Sequence, residues 1–136
     1  MKKDLASNAK NLAEGTKGSP LMTAPYLIRD EIERDLSAPH SVRELAERFN
    51  TNVTSLNESF RSAYGQTIPA YIRQRRMEKA ADLIMEGEFA ITRIAVQVGY
   101  VNPSKFSEAF KRFFGMTPSE YRNARKVKSS IDTPHS

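Results

Sequence analysis

Two stretches of this chain repeat one pattern about fifty residues apart, which constrains it to fold as two related small units. Residues 45–73 read LAERFNTNVTSLNESFRSAYGQTIPAYIR, and residues 94–122 read IAVQVGYVNPSKFSEAFKRFFGMTPSEYR. Each copy opens on an apolar–Ala pair, passes a turn, runs into an amphipathic stretch centred on Phe, and closes on Gly and then Tyr with a nearby Arg. Phe60, Gly65 and Tyr71 map onto Phe110, Gly115 and Tyr121 at an offset of fifty, and Arg73 maps onto Arg122 one residue earlier. Leu45 and Ala46 map onto Ile94 and Ala95 at forty-nine. The second copy therefore carries one extra residue in its turn.

The periodicity around these copies is helical throughout. Ile28, Ile32 and Leu36 recur every four residues and predict a first helix that begins at Pro25, a residue suited to the first helical position. Ser41-x-x-Glu44 is a capping box ahead of a helix over 42–49. Asn52 predicts the N-cap of a helix over 53–63, with Leu56, Phe60 and Tyr64 on one face. Pro69 opens a longer helix to Glu86 that presents Tyr71, Ile72, Met77, Ala80, Leu83 and Ile84. A helix over 91–98 follows. Asn102-Pro103 then caps and starts another, which runs to Phe114 and is expected to bury Phe106, Phe110 and Phe113. Thr117-Pro118-Ser119-Glu120 starts a last short helix carrying Tyr121. No stretch alternates with period two, so the expected fold is all-α: two helix-turn-helix units joined by a linker helix, about seven helices in all. The expected segments are a flexible extension over 1–23, a first unit over 24–66, the linker helix over 67–87, a second unit over 88–128 and a polar, disordered tail over 129–136.

Charge and composition narrow the chemistry. The net charge is +5, and it is uneven: residues 26–50 hold four basic and six acidic groups, whereas residues 101–136 hold seven basic and three acidic. A basic excess concentrated in the second copy favours a polyanionic partner. With no cysteine there is no disulfide or thiolate metal site, and His40 and His135 are too far apart to form a zinc site, so no metal or cofactor is expected. No apolar run approaches the length of a membrane span, and the N-terminus lacks the apolar centre of a signal peptide. A nucleophile–base set and a Gly-rich phosphate loop are both missing, which argues against an enzyme.

A helix, a tight turn and a second helix form the helix-turn-helix arrangement. Ala46 and Ala95 supply the small residue where the two helices approach. Asn50 and Gly99 supply the positive φ that the turn requires. On these residues the chain resembles the DNA-binding domain of the AraC/XylS family of bacterial transcription regulators, over about residues 24–125. The resemblance is strongest at Ile94-Ala95, Gly99-Tyr100, Ser104, Phe106-Ser107, Phe110-Lys111, Phe114-Gly115, Thr117-Pro118 and Tyr121-Arg122. Residues 76–84 look like the family's linker helix. The first copy departs from the pattern, with Asn50 in place of the usual glycine and Thr51 in place of an aromatic.

The resemblance implies two recognition helices in adjacent major grooves of double-stranded promoter DNA. A linker of about 17 residues spans roughly 25 Å at 1.5 Å per residue, against about 34 Å between successive groove segments. Carried over by position, the residues expected to contact bases are Thr54, Ser55, Asn57 and Glu58 in the first unit. In the second unit they are Asn102, Ser104, Lys105, Ser107 and Glu108. Asn57 is expected to pair bidentately with adenine, Lys105 to reach guanine, and Glu58 and Glu108 to accept from cytosine N4. Arg61, Arg73, Arg75, Lys111 and Arg112 suit phosphates, and Arg76 suits a structural ion pair. The expected role is transcription activation in the cytoplasm, with RNA polymerase as partner. The isolated domain is expected to be monomeric, either as a C-terminal piece of a regulator that dimerises through a further N-terminal domain or as a small stand-alone regulator. The competing expectation is a helical protein–protein interaction module that binds no DNA.

Overall fold

The computed structural model describes the backbone of residues 20–132 and the side chains of residues 22–125. Among the described residues there are seven helices and no strand: α1 (Pro20–Arg34), α2 (Val42–Arg48), α3 (Val53–Tyr64), α4 (Ile68–Glu86), α5 (Ile91–Gln97), α6 (Pro103–Phe114) and α7 (Pro118–Asp132). The chain divides into two compact units, Met1–Ile72 and Arg73–Ser136.

In the first unit, α1 lays Ala24, Ile28, Ile32 and the following Leu36 against Leu45 and Ala46 of α2 and Leu56 and Phe60 of α3. The first turn of α4 closes this core with Ile68, Tyr71 and Ile72. In the second unit, the remainder of α4 takes the part that α1 plays in the first. Its Met77, Ala80, Ala81 and Ile84 pack with Ile94, Ala95 and Val98 of the α5 segment and with Phe106 and Phe110 of α6. The helix expected over 67–87 as a linker thus supplies residues to both cores, with the division between units at Ile72/Arg73. Burying an aliphatic or aromatic side chain of this size contributes about 1.5–3 kcal/mol, and both cores are built from such side chains.

The duplication extends to the aromatic packing. Phe60, Tyr64 and Tyr71 form a triad with centroids 4.9, 5.4 and 6.0 Å apart. Phe110, Phe114 and Tyr121 repeat it at 4.6, 5.4 and 5.5 Å. In both, the ring at the start of the following helix meets the central Phe edge-on, at 70° and 76°. That is the arrangement ring quadrupoles favour.

The first helix begins at Pro20, five residues before the expected start. The longer helix carries Ala24 into the core with no exposed surface. Pro25, inside the helix, lacks the amide that would bond the Leu21 carbonyl. Residues 20–23 are thus helical and not a loose extension, and residues 1–19 lie outside the described residues. The last helix reaches Asp132, past the expected start of the tail, and residues 133–136 lie outside the described residues. Phe113, expected in the core, is 44% exposed. The buried stripe of α6 runs through Phe106 and Phe110 to the half-buried Phe114, and Phe113 sits on its flank, edge-on to Phe114 at 4.8 Å.

Candidate nucleic-acid interface

Each α-helix pair α2–α3 and α5–α6 is joined by the same hydrogen-bonded turn. At the end of α2, the Thr51 amide donates to the Ala46 carbonyl at 2.9 Å and the Asn50 amide to the Glu47 carbonyl at 3.2 Å. At the end of α5, the Tyr100 amide donates to Ala95 at 2.8 Å and the Gly99 amide to Val96 at 3.0 Å. This six-to-one plus five-to-two pair is the Schellman motif, which satisfies the last carbonyls of a helix and reverses the chain through one left-handed residue. That residue is Asn50, at φ 55°, and Gly99, at φ 103°. Ala46 and Ala95 are both buried and both sit at the motif's first carbonyl, so the small residue and the turn residue belong to one device. Tyr100 covers the second turn, edge-on to Phe106 at 5.5 Å. Thr51 offers no such ring to the first.

After the turn, each second helix is capped by asparagine. The Asn52 side-chain oxygen accepts from the Ser55 amide at 2.8 Å. The Asn102 oxygen accepts from Ser104 and Lys105 at 2.8 and 3.2 Å. Val101 is the residue by which the second turn exceeds the first, since Asn50 and Thr51 pair with Gly99 and Tyr100 while Asn52 pairs with Asn102. It is 96% exposed at the mouth of α6. The change of offset in the sequence marks its position.

The site residues expected from the sequence are placed as follows. Thr54 and Glu58 on α3, and Ser104, Lys105 and Glu108 on α6, are exposed, while Ser55 and Ser107 are half-buried. Glu58 and Glu108 are held by no hydrogen bond or ion pair among the described residues. Asn57 is occupied within the fold, where its side-chain oxygen accepts the amide of Ile68, 3.0 Å away, at the start of α4. Ile68 has no exposed surface, so this amide has no access to water and needs a protein acceptor. Bidentate adenine pairing uses both ends of the amide group, and one end of Asn57 is already committed. In the second unit the same two positions hold Ser107 and Pro118. Proline has no amide to satisfy, so Ser107 is not drawn into an equivalent bond. Asn102 caps α6 as its place before Pro103 predicts, and that cap takes the acceptor oxygen also expected to reach a base.

Among the expected phosphate contacts, Arg61, Arg73, Lys111 and Arg112 are exposed and closed into no ion pair among the described residues. Arg75 differs: it pairs with Glu78 one turn along α4 at 2.6 Å, with 34% of its side chain exposed. Arg122, matched to Arg73 in the duplication, donates to the Phe89 carbonyl at 2.7 Å and braces the second core instead of facing outward. Ahead of it, Thr117 and Glu120 exchange hydrogen bonds at 2.8 and 3.1 Å, a complete capping box at the start of α7. The Thr117 amide holds the Glu120 carboxyl below the usual carboxylate range. Among the described residues no helix is long and apolar enough to cross a membrane, and no three or more acidic or histidine side chains are grouped to hold a metal.

Two Schellman turns, each feeding an asparagine-capped helix with an exposed polar first half and a buried aromatic second half, define a double helix-turn-helix protein. A helix-turn-helix domain model matches residues 45–124. The regulatory protein SoxS of Salmonella typhimurium is 36% identical over 92 residues, 68% of this chain and 86% of SoxS. The transcriptional activator AggR of Escherichia coli is 31% identical over 94 residues, 69% of this chain and 35% of AggR. Among solved structures, the C-terminal domain of AraT, a response regulator from Geobacillus stearothermophilus, superposes with a TM-score of 0.70 at 30% identity, over 76% of this chain and 87% of that one. The DNA-binding domain of AdpA, solved in complex with a target DNA, shares the fold at TM-score 0.70 and 21% identity, over 76% of this chain and 94% of that one. The chain belongs to the AraC/XylS family of helix-turn-helix DNA-binding transcription regulators.

Proposed function

We propose that this regulator lays α3 and α6 into two successive major-groove segments of one duplex and activates transcription at the promoter by recruiting RNA polymerase. The observation that carries the reading is the twofold occurrence of one device: buried alanine, Schellman turn, asparagine cap, exposed helix start. Each occurrence presents a helix whose inner face is locked by Phe60 or Phe110 and whose outer face is polar. Thr54, Ser55 and Glu58 read bases from α3, and Ser104, Lys105, Ser107 and Glu108 read them from α6. Asn57 and Asn102 hold the helices in place. Arg61, Arg73, Lys111 and Arg112 neutralise phosphates, whereas Arg75 must first leave Glu78 to do so. The activator AggR, similar over the shared region, supports the positive sign of regulation. The site of action is then the bacterial nucleoid.

The test is fluorescence anisotropy with duplexes recovered from a random pool, repeated at several salt concentrations. Four phosphate contacts predict a slope of log affinity against log salt of about −3.6. In vitro transcription with purified RNA polymerase from a promoter carrying the recovered site should rise on addition of the protein. Affinity that does not change with salt would refute DNA binding. Unchanged or reduced transcription would refute activation alone.

A further inference from the structure

The two recognition helices carry the same chemical stripe. Counting from the asparagine cap, α3 presents Thr54, Glu58 and Arg61, and α6 presents Ser104, Glu108 and Lys111. Each is a hydroxyl, a carboxylate one turn further on, and a cation three residues beyond that. The spacing of four and then three residues puts all three on one helix face. All six side chains are exposed. The surrounding positions do not repeat: Val53 corresponds to Pro103, Ser55 to Lys105 and Asn57 to Ser107. Among these outward positions the match falls on the stripe, while the cap Asn52/Asn102 and the buried Phe60/Phe110 also correspond.

The carboxylate is the informative member. An acidic side chain in the middle of a DNA-facing stripe repels phosphate and weakens binding to any sequence. On an ordinary helix face it would be explained by an ion pair with the cation three residues on. Neither glutamate makes that pair, nor any other hydrogen bond or ion pair among the described residues, so both stand available to a ligand. The base edge in the major groove that rewards a bare acceptor is cytosine, whose N4 amino group donates.

We infer that the two blocks of the DNA site share a cytosine at the same place relative to their recognition helices, one read by Glu58 and the other by Glu108. This rests on the DNA-reading proposal above and specifies its substrate: a site made of two variants of one short motif. The differing neighbours, Ser55 against Lys105 above all, make the blocks related and not identical.

The test is selection from a random duplex pool with the full chain and with Glu58→Gln and Glu108→Gln, substitutions of nearly equal size on exposed helix positions. The wild type should enrich two blocks, each with a cytosine. Glutamine pairs with adenine, so Glu58→Gln should lower the preference for cytosine roughly 5- to 150-fold in one block only, with adenine gaining. Glu108→Gln should do the same in the other block. Both variants should bind random duplex more tightly at low salt, since each loses a charge that repels phosphate. A two-block site without paired cytosines, or one unmoved by both substitutions, would overturn this inference and leave the DNA-reading proposal intact. A wild type that enriches no sequence would overturn both.

Discussion

Asn57→Ala should change the sign of its effect on stability when Ile68 is proline. In the native background the substitution removes the acceptor of the Ile68 amide, 3.0 Å away. Ile68 is fully buried, so water does not replace the lost partner, and leaving such a donor unsatisfied costs about 1–3 kcal/mol. Alanine returns roughly 0.6 kcal/mol through its better helix propensity. The net expectation is a loss of about 0.5–2.5 kcal/mol in the first unit. Ile68→Pro removes the donor itself and copies the second unit, where Pro118 occupies the matching place and is buried. It carries its own cost, because a buried isoleucine side chain shrinks. In that background nothing is left for Asn57 to satisfy, so Asn57→Ala should then be neutral or stabilise by about 0.5 kcal/mol through propensity alone. The cycle should give a coupling of about 1–3 kcal/mol between two residues eleven apart. Residue-resolved amide hydrogen exchange is the suitable assay, because a chain of two units need not unfold in one step. Opening free energies at Leu56 and Phe60 should follow the cycle, with Phe106 and Phe110 as internal controls. An equal cost of Asn57→Ala in both backgrounds would refute the latch.

The turn, the inserted valine, the cap of α7 and a phosphate contact give further tests. Asn50→Ala places an ordinary side chain at φ 55° and should cost about 1–2 kcal/mol, whereas Asn50→Gly should leave exchange in the first unit nearly unchanged. Val101→Ala should alter stability by less than about 0.5 kcal/mol, because the side chain is 96% exposed; if Val101 touches a thymine methyl in the groove, the same variant should weaken selection for thymine at one position. The Glu120 carboxyl is held low by the Thr117 amide, so its folded-state pKa lies below the unfolded one. Its capping contribution is complete above the ordinary glutamate value of about 4.3 and fades as pH falls through the lower folded value; an NMR titration should place the Glu120 midpoint below about 4.3. Arg73→Ala should weaken binding to all duplexes alike and make the salt slope shallower by about one.

Much of the architecture is legible in the sequence because the duplication constrains it twice. Leu45-Ala46 with Asn50, and Ile94-Ala95 with Gly99, mark both turns, since only certain residue types suit a left-handed position beside a close helix contact. The departures lie at the edges of the repeat. Pro25 suggests a helix start, yet the chain is already helical at Pro20 and Ala24 is buried ahead of Pro25. Residue type alone points Phe113 inward, although Phe106 and Phe110 already define the buried stripe. Asn102 is legible as a cap, since Asn-Pro opens a helix, but Asn57 lies within α3, and sequence alone does not show that its side-chain oxygen is taken by an amide. For Asn57 that amide lies eleven residues on. The pair Ser107–Pro118, which has no amide to satisfy, is the clue that the first unit handles the position differently. Arg75 and Glu78 are neighbours on one helix face by spacing alone, and at 2.6 Å the nearby carboxylate holds the guanidinium in the free protein.

In the proposed binding mode one chain engages two groove segments at once. Its most direct measurement is the stoichiometry and affinity of the chain on a duplex carrying both recovered blocks, compared with the same duplex after insertion of about five base pairs, half a helical turn, between them. One chain per native duplex is predicted, with affinity falling at least about tenfold on insertion because the second block rotates out of reach of the tethered helix. Affinity indifferent to the insertion, or two chains on the native site, would contradict it.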